Sequence, residues 1–247
     1  MINDLFLEIY SSIPRQGPGS KEITQLAFSK IANLPAAPSI LDMGCGTGLQ
    51  SIELVHLSGG TVIAVDNLKP FVDKLTNLAN EQGITENLIA VCSDMQTLNY
   101  APQSFDLIWS EGAIYNIGFE NGLTIWKNHL RPNGYMAVSE LCWIKENPPQ
   151  EIVDYWSENY PAMKTIEQNC AIINECEYKL IDKFVFPASA WWDDYYTPIS
   201  QIINKLKEEN GESTDAEEVF NEMIPEMEMH KKYGDYYSYV FFIMRNR

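Results

Sequence analysis

The sequence has few basic residues. Lysine and arginine total 17 of 247 residues, against 34 aspartates and glutamates, and the formal net charge is −17. A chain this acidic repels phosphate backbones and anionic lipid surfaces unless its basic residues form a concentrated patch. Here they are scattered along the chain. The composition therefore argues against a nucleic acid as partner or substrate.

Long apolar runs and paired cysteines are also missing. No run approaches the roughly 18 apolar residues of a membrane span, and Met1–Glu8 carries acid where a signal peptide carries base. We therefore expect a cytoplasmic protein with no membrane partner. The five cysteines form no C-x-x-C pair and the three histidines lie far apart, so we expect free thiols and no metal site.

The sequence does contain an alternation of short apolar strands with amphipathic helices. Such alternation is typical of a parallel sheet covered on both faces. Two late strands, separated by a helical insertion of about fifty residues, predict an antiparallel edge and a cap. The seven predicted strands are Ile40–Asp42, Thr61–Asp66, Leu88–Cys92, Phe105–Trp109, Tyr135–Leu141, Lys179–Pro187 and Tyr236–Met244.

The order of helices and strands along the sequence predicts a single domain with three parts. Residues 1–38 are expected to form a helical lid, 39–145 a ligand-binding core, and 146–247 a cap region that completes the sheet. Residues 131–134 are expected to form a turn into the fifth strand. The predicted helices cover residues 2–13, 21–34, 48–57, 69–82, 97–99, 113–117, 120–130, 150–160, 164–175, 197–210 and 214–231.

A glycine turn after the first strand is the most informative motif. Gly44, Gly46 and Gly48 follow the apolar pair Ile40–Leu41 and precede a helix. Glycines in such a turn let the backbone approach a ligand closely. The spacing is G-x-G-x-G, not the G-x-G-x-x-G of dinucleotide-binding domains.

Three carboxylates fall at the predicted carboxyl ends of strands, where open α/β sheets bind their ligands. They are Asp42, Asp66 and Asp94. At the end of the second strand, Asp66 is placed to accept hydrogen bonds from both hydroxyls of a ribose. The alternatives are that Asp66 caps the next helix and that Asp94 is a turn residue. Carboxylates around the crevice disfavour a pyrophosphate.

Together, Leu41–Gly48, Val65–Asp66, Ser93–Met95 and Leu130–Gly134 resemble the motifs of a class I S-adenosylmethionine-dependent methyltransferase of the small-molecule branch. The resemblance covers residues 39–141. It implies an α/β fold, a Rossmann-like three-layer sandwich whose mostly parallel seven-stranded sheet has an antiparallel last strand. It also implies a helical N-terminal segment, a C-terminal helical cap and S-adenosyl-L-methionine as the cofactor.

The resemblance assigns the cofactor site residue by residue. The three glycines would pack against the amino-acid and ribose parts, and Asp66 would take the ribose hydroxyls. Asp94 would meet the adenine amine, while Met95 would donate its backbone N–H to the ring. Asp42 would act indirectly, orienting the glycine loop or the ammonium group. The other expected cofactor-binding residues are Gln16, Asn67, Ser110 and Glu111.

No residue stands out as a general base. The weak catalytic candidates are Glu111, Tyr115 and Glu140; Tyr115 is equally a core residue, and Glu140 equally a structural carboxylate. The loop 14–19, with two prolines and two glycines, either closes the pocket or only connects two helices. The aromatic cluster Trp191–Tyr196 either packs the base of the cap or an oligomer contact, or lines the substrate pocket.

The sequence thus predicts methyl transfer to a small-molecule acceptor by in-line displacement, since a capped pocket suits a small molecule. Two alternatives stay open. One is a catalytically silent cofactor-binding or interaction protein of the same fold. The other is a nucleotide-dependent oxidoreductase, against which the glycine spacing counts. A homodimer is compatible with the sequence.

Overall fold

One mixed sheet runs through the molecule, as seen in a computed structural model that describes residues 4–210 and 214–247. Its spatial order is β3-β2-β1-β4-β5-β8-β7, and a short β6 pairs with β5. The strands are β1 (Ser39–Met43), β2 (Thr61–Asp66), β3 (Leu88–Cys92), β4 (Phe105–Ser110), β5 (Leu130–Trp143), β6 (Lys164–Thr165), β7 (Tyr178–Val185) and β8 (Tyr237–Asn246).

The last strand is antiparallel to both of its neighbours, β5 and β7. The pairs β1–β2, β1–β4, β2–β3 and β4–β5 are all parallel. The predicted mostly parallel sheet with an antiparallel last strand is therefore confirmed. The two-residue β6 was not predicted, because residues 164–165 precede a helix and show no strand pattern.

Helices surround this sheet. They are α1 (Asp4–Ser12), α2 (Lys21–Ser29), α3 (Leu49–Ser58), α4 (Lys69–Glu81), α5 (Phe119–Lys127), α6 (Gln150–Asn159), α7 (Ile166–Glu175), α8 (Ser189–Trp191), α9 (Thr197–Asn210) and α10 (Thr214–Tyr233). A 3₁₀ turn (Ile114–Asn116) follows β4, and a π-helix (Trp192–Tyr196) joins α8 to α9.

Two hydrophobic clusters lie on opposite faces of the sheet. Successive β1 residues alternate between them: Ile40 belongs to one cluster, while Leu41 and Met43 belong to the other. A strand buried on both faces needs apolar residues at consecutive positions, which explains the unbroken apolar runs of the sequence. The predicted three-layer sandwich is confirmed.

Three local predictions are wrong. Residues 97–99 form no helix, because the segment after β3 is an irregular turn in which the Asp94 carboxylate accepts the backbone N–H of Gln96 (2.8 Å). Residues 131–134 form no separate turn; they make an irregularity inside β5, with Asn133 at φ 65°. The helix predicted over 21–34 ends at Ser29.

The cap consists of α8, the π-helix, α9 and α10, inserted between β7 and β8. Its aromatic residues pack against one another. Trp191 is buried beneath His230, with ring centroids 4.3 Å apart, and donates from Nε1 to the Ser238 hydroxyl (3.1 Å). No helix within the described ranges is long and apolar enough to cross a membrane.

Candidate active site

A cavity of about 640 Å³ opens at the carboxyl ends of β1, β2 and β4. The glycine loop after β1, Asp66 at the end of β2 and Glu111 after β4 all line it, together with the loop between α1 and α2. Open α/β sheets bind ligands at this edge. The sequence-predicted residues that line this cavity are Gln16, Gly44, Gly46, Asp66, Asn67, Asp94, Met95, Glu111 and Tyr115.

The glycine loop approaches its neighbours too closely for side chains. A Cβ on Gly46, which has φ 55°, would lie 2.3 Å from Oε1 of Gln16. A Cβ on Gly48, which has φ 85°, would lie 2.2 Å from Cδ1 of Leu75. Gly48 does not line the cavity; it begins α3 and lets that helix pack on α4.

Every backbone N–H of residues 44–48 is engaged inside the protein. The acceptors are the carbonyl of Val65 for residues 44 and 45, the carboxylate of Asp66 for residue 46, the side chain of Gln16 for residue 47 and the carbonyl of Cys45 for residue 48. A phosphate-binding loop presents such donors to its ligand. In this loop the same donors are used to fix the conformation of the loop.

Asp66 is held by two backbone donors. Its Oδ2 accepts from the N–H of Gly46 and its Oδ1 from the N–H of Leu68, both at 2.9 Å. The second bond supports the start of α4, so the helix-capping role coexists with a place on the cavity wall. Each carboxylate oxygen keeps a further lone pair for a ligand hydroxyl. Burial raises the pKa of Asp66, and the backbone donors oppose that shift.

Two other predicted residues lie behind the cavity wall. Asp42 is buried, and its Oδ2 accepts from the hydroxyl of Ser51 (2.6 Å). Burial raises the pKa of Asp42 to about 7. Ser110 donates to the carbonyl of Met43 (2.9 Å) and thereby ties the end of β4 to β1. Both residues contact the scaffold and not the cavity.

The loop between α1 and α2 closes over the glycine loop through Gln16. The Oε1 of Gln16 accepts from both the N–H and the hydroxyl of Thr47 (2.8 and 3.1 Å), and its Nε2 donates to the carbonyl of Tyr10 (2.9 Å). The loop also reaches the cap, because the N–H of Gly19 donates to the carbonyl of Ala190 (2.9 Å). The loop therefore lines the cavity and contacts both the glycine loop and the cap.

Glu111 is fully engaged by its neighbours. Its Oε2 pairs with Arg15 (2.8 Å), and its Oε1 accepts from Thr24 (2.7 Å) and from Nε1 of Trp109 (2.9 Å). The two charged side chains are 7% and 4% exposed. There are thus three donors, and Arg15 is both one of them and the ionic partner. These contacts tie the loop between α1 and α2, and α2 itself, to the end of β4.

A second chamber of about 430 Å³ adjoins the first cavity. The two share Tyr115, Tyr195 and Glu226 in their walls, as well as residues 16–18 and Gly112. Tyr115 is 42% exposed, so it faces the cavities and is not a core residue. The remaining lining residues of the second chamber are Leu141, Tyr155, Trp156, Asn159, Tyr160, Trp191, Pro225 and Tyr239.

Glu140 lies behind this chamber. Its Oε1 accepts from the hydroxyl of Tyr160 (2.6 Å), whereas its Oε2 is buried and without a hydrogen-bond partner. Burial raises the pKa of Glu140 to about 7. Tyr160 lines the chamber, whereas Glu140 does not. The hydroxyl of Tyr160 therefore links the carboxyl group of Glu140 to the chamber.

Glu226 was not anticipated from the sequence. It accepts from the hydroxyl of Tyr196 (2.7 Å) and lines both cavities. The one available signal is Pro225, a proline inside α10, where a helix loses a backbone hydrogen bond. That signal marks a local irregularity but does not say which way the next side chain points.

Comparison with known proteins identifies the family of this chain. Residues 36–211 match the methyltransferase domain family. Phosphoethanolamine N-methyltransferase of Plasmodium falciparum is 26% identical over 199 residues, covering 78% of this chain and 71% of that protein. Other curated relatives are matched over less of their length, 24% and 47% in two cases.

Solved structures show the same fold. An S-adenosylmethionine-dependent methyltransferase from Geobacter sulfurreducens, in complex with S-adenosylhomocysteine, superposes with a TM-score of 0.85 at 18% identity, over 100% of this chain and 99% of that one. The [4+2]-cyclase SpnF superposes with a TM-score of 0.73 at 16% identity, over 92% and 80%.

The fold and the site define a Rossmann-like enzyme of the methyltransferase class. The chain belongs to the methyltransferase domain family. The predicted family and fold class are confirmed, and the relatives support S-adenosylmethionine as the cofactor.

Proposed function

We propose that this protein transfers a methyl group from S-adenosylmethionine to a small-molecule acceptor by in-line displacement. The observation that carries the proposal is a pair of adjoining cavities. One is walled by the glycine loop and Asp66, and the other by aromatic side chains under the cap. A donor in one chamber and an acceptor in the other can react where the two chambers meet.

The residues of the first cavity fit S-adenosylmethionine better than a dinucleotide. The N–H groups of residues 44–48 already have acceptors, so the loop offers no cradle for a pyrophosphate. Arg15 is the one basic side chain among the described lining residues, and Glu111 holds it. Carboxylates, by contrast, suit ribose hydroxyls and a cationic donor.

The proposed roles follow from position. Asp66 would bind the ribose hydroxyls, with Asn67, Asp94 and Met95 around the base. Gly44 and Gly46 would lie under the donor, and Gln16 would close over it.

When bound, S-adenosylmethionine supplies a methyl group on an activated sulfur. The main task of the protein is then to align the acceptor and exclude water. The lid and the cap enclose the junction of the two cavities. Tyr160 and Glu140 form the pair best placed to take a proton from an acceptor, because one oxygen of Glu140 has no partner.

Calorimetry with the intact protein tests the cofactor. We expect S-adenosylmethionine and S-adenosylhomocysteine to bind and NAD not to bind. Binding of NAD with no binding of either sulfur nucleotide would overturn the proposal.

Catalysis needs its own assay, because a silent protein could bind the cofactor equally well. We expect S-adenosylhomocysteine to form when a library of small acceptors is supplied with S-adenosylmethionine. Cofactor binding without turnover on any library member would favour the silent alternative.

A further inference from the structure

The second chamber has a carboxyl group in its wall and, among its described lining residues, no lysine, arginine or histidine. Glu226 stands in its wall, and Glu140 lies behind Tyr160. Arg15 lines the adjoining first cavity, where it is paired with Glu111. An anionic ligand would therefore find no positive partner in this chamber.

Neither carboxylate makes a salt bridge with a described residue, although the charge of Lys164 acts on Glu140 from a distance. Glu226 receives a hydrogen bond from Tyr196, a neutral donor, and burial raises the pKa of Glu226. Glu140 receives one from Tyr160, is only 2% exposed, and leaves Oε2 unpartnered. A buried carboxylate without a cation is costly, and a ligand cation would relieve that cost.

Aromatic rings complete the wall. Tyr115 and Tyr160 meet edge to face, with centroids 5.9 Å apart, and Tyr155 packs the same way on Trp156 at 5.1 Å. Tyr239 and Tyr195 add two more rings. Ring faces attract cations within about 6 Å, and the attraction grows when water is excluded. Carboxylates and rings around one space therefore favour the same kind of ligand.

We propose that the second chamber binds an organic ammonium, so that the methyl acceptor is an amine that is positively charged at neutral pH. Its charged nitrogen lies against Glu226 and the tyrosine rings, and its apolar part against Trp156 and Leu141. Before transfer, the ammonium would give one N–H proton to a carboxylate, either Glu226 or, through the Tyr160 hydroxyl, Glu140. The freed nitrogen lone pair would then form the N–C bond as the methyl–sulfur bond of the donor breaks and S-adenosylhomocysteine leaves. This inference rests on the proposed methyltransferase function and adds the chemical class of the acceptor to it.

The lining of the chamber should also discriminate between amines and phosphorylated amines. A phosphate group needs basic side chains or free backbone donors. The described lining of the chamber provides neither arginine nor lysine. We therefore expect an unphosphorylated amine to bind more tightly than its phosphorylated counterpart. The Plasmodium relative, by contrast, is named for a phosphorylated amine.

Binding of matched probes tests the inference. Phenethylamine, 2-phenylethanol, ethanolamine and phosphoethanolamine are titrated into the intact protein, with and without saturating S-adenosylhomocysteine. We expect phenethylamine to bind about tenfold or more tightly than 2-phenylethanol, because only the amine is cationic. Equal affinities, or tighter binding of phosphoethanolamine than of ethanolamine, would overturn the inference.

Glu226→Gln removes the charge with little change in shape. It should weaken phenethylamine binding about tenfold while leaving 2-phenylethanol unaffected. The matched control is Glu228→Gln, an exposed residue on the same helix, which should change neither. If both probes lose affinity equally in Glu226→Gln, the substitution has disturbed the fold. The inference is then tested by the relative affinities of phenethylamine and 2-phenylethanol for the wild type.

The two proposals fail separately. Absence of S-adenosylhomocysteine binding contradicts the methyltransferase proposal, whereas the amine titration without that nucleotide still measures the chamber. Loss of amine selectivity with normal nucleotide binding contradicts only the acceptor class.

Discussion

The ion pair between Arg15 and Glu111 should hold the lid to the core. Its N–O distance is 2.8 Å, and both side chains are almost wholly buried. Removing one partner of a buried pair costs about 3–5 kcal/mol, because the other charge is left unpaired. In Arg15→Met, Glu111 keeps the donors Thr24 and Trp109, so we expect the lower end, about 3 kcal/mol.

The double variant separates the pair from its surroundings. Glu111→Gln leaves the Arg15 charge with only a long bond to Thr24 (3.3 Å), so we again expect a loss of about 3 kcal/mol. Arg15→Met with Glu111→Gln leaves no buried charge and should cost no more than either single change. The coupling free energy is then about 3 kcal/mol, the top of the range for contacting residues.

Urea unfolding of the wild type and the three variants measures these free energies. Lys21→Met is the matched control, because Lys21 pairs with Glu53 from an exposed position and should cost less than about 1 kcal/mol. Additive losses in the double variant, or a loss below about 1 kcal/mol for Arg15→Met, would refute the assigned role of the pair.

Three further predictions concern Asp66, Gly48 and Glu140. Asp66→Ala should weaken S-adenosylhomocysteine binding by about 1–3 kcal/mol in calorimetry. The control Asp73→Ala, an exposed residue of α4, should leave the affinity unchanged. If Asp66→Ala binds the nucleotide as tightly as the wild type, Asp66 is not part of the site. Gly48→Ala should lower the free energy of unfolding by about 2–5 kcal/mol through positive φ and overlap with Leu75, whereas Gly83→Ala, with open space around it, should cost about 1–2 kcal/mol. The raised pKa of Glu140 means that the folded state holds its proton longer than the unfolded state. Stability should therefore fall as pH rises from 4.5 to about 7, by about 3 kcal/mol at about 1.4 kcal/mol per pKa unit. Glu140→Gln should make that part of the pH profile less steep and leave the contribution of Asp42, whose pKa is likewise raised to about 7. An unchanged profile would contradict the assignment.

The wall of the first cavity was predictable because its residues lie at strand ends or shortly after them. Asp66 is the last residue of β2, and Gly44 and Gly46 lie one and three residues beyond β1, so strand order alone brings them to one edge of the sheet. Asp42 and Ser110 also lie at or near strand ends, but they do not line the cavity, because their side chains bond to the hydroxyl of Ser51 and to the carbonyl of Met43. The indirect role expected for Asp42 stays a prediction.

The acceptor side was predictable only in part. Tyr160 follows α6 and Glu226 lies in α10, and neither has a motif in the sequence. Their meeting depends on how the cap packs on β5 and β8, which periodicity does not specify. The carboxylate of Glu226 is far from Tyr115 in sequence, yet both line the same chamber. Glu140 was a candidate, but its link through Tyr160 required the folded structure.

The loop that carries Gln16 has a kinetic consequence. Gln16, Gly17 and Pro18 belong to the walls of both cavities, and the loop is bonded to the glycine loop and to the cap. In the proposed reaction, displacement of this loop would disturb the donor and acceptor chambers together, so the exchange of one ligand should depend on whether the other is bound.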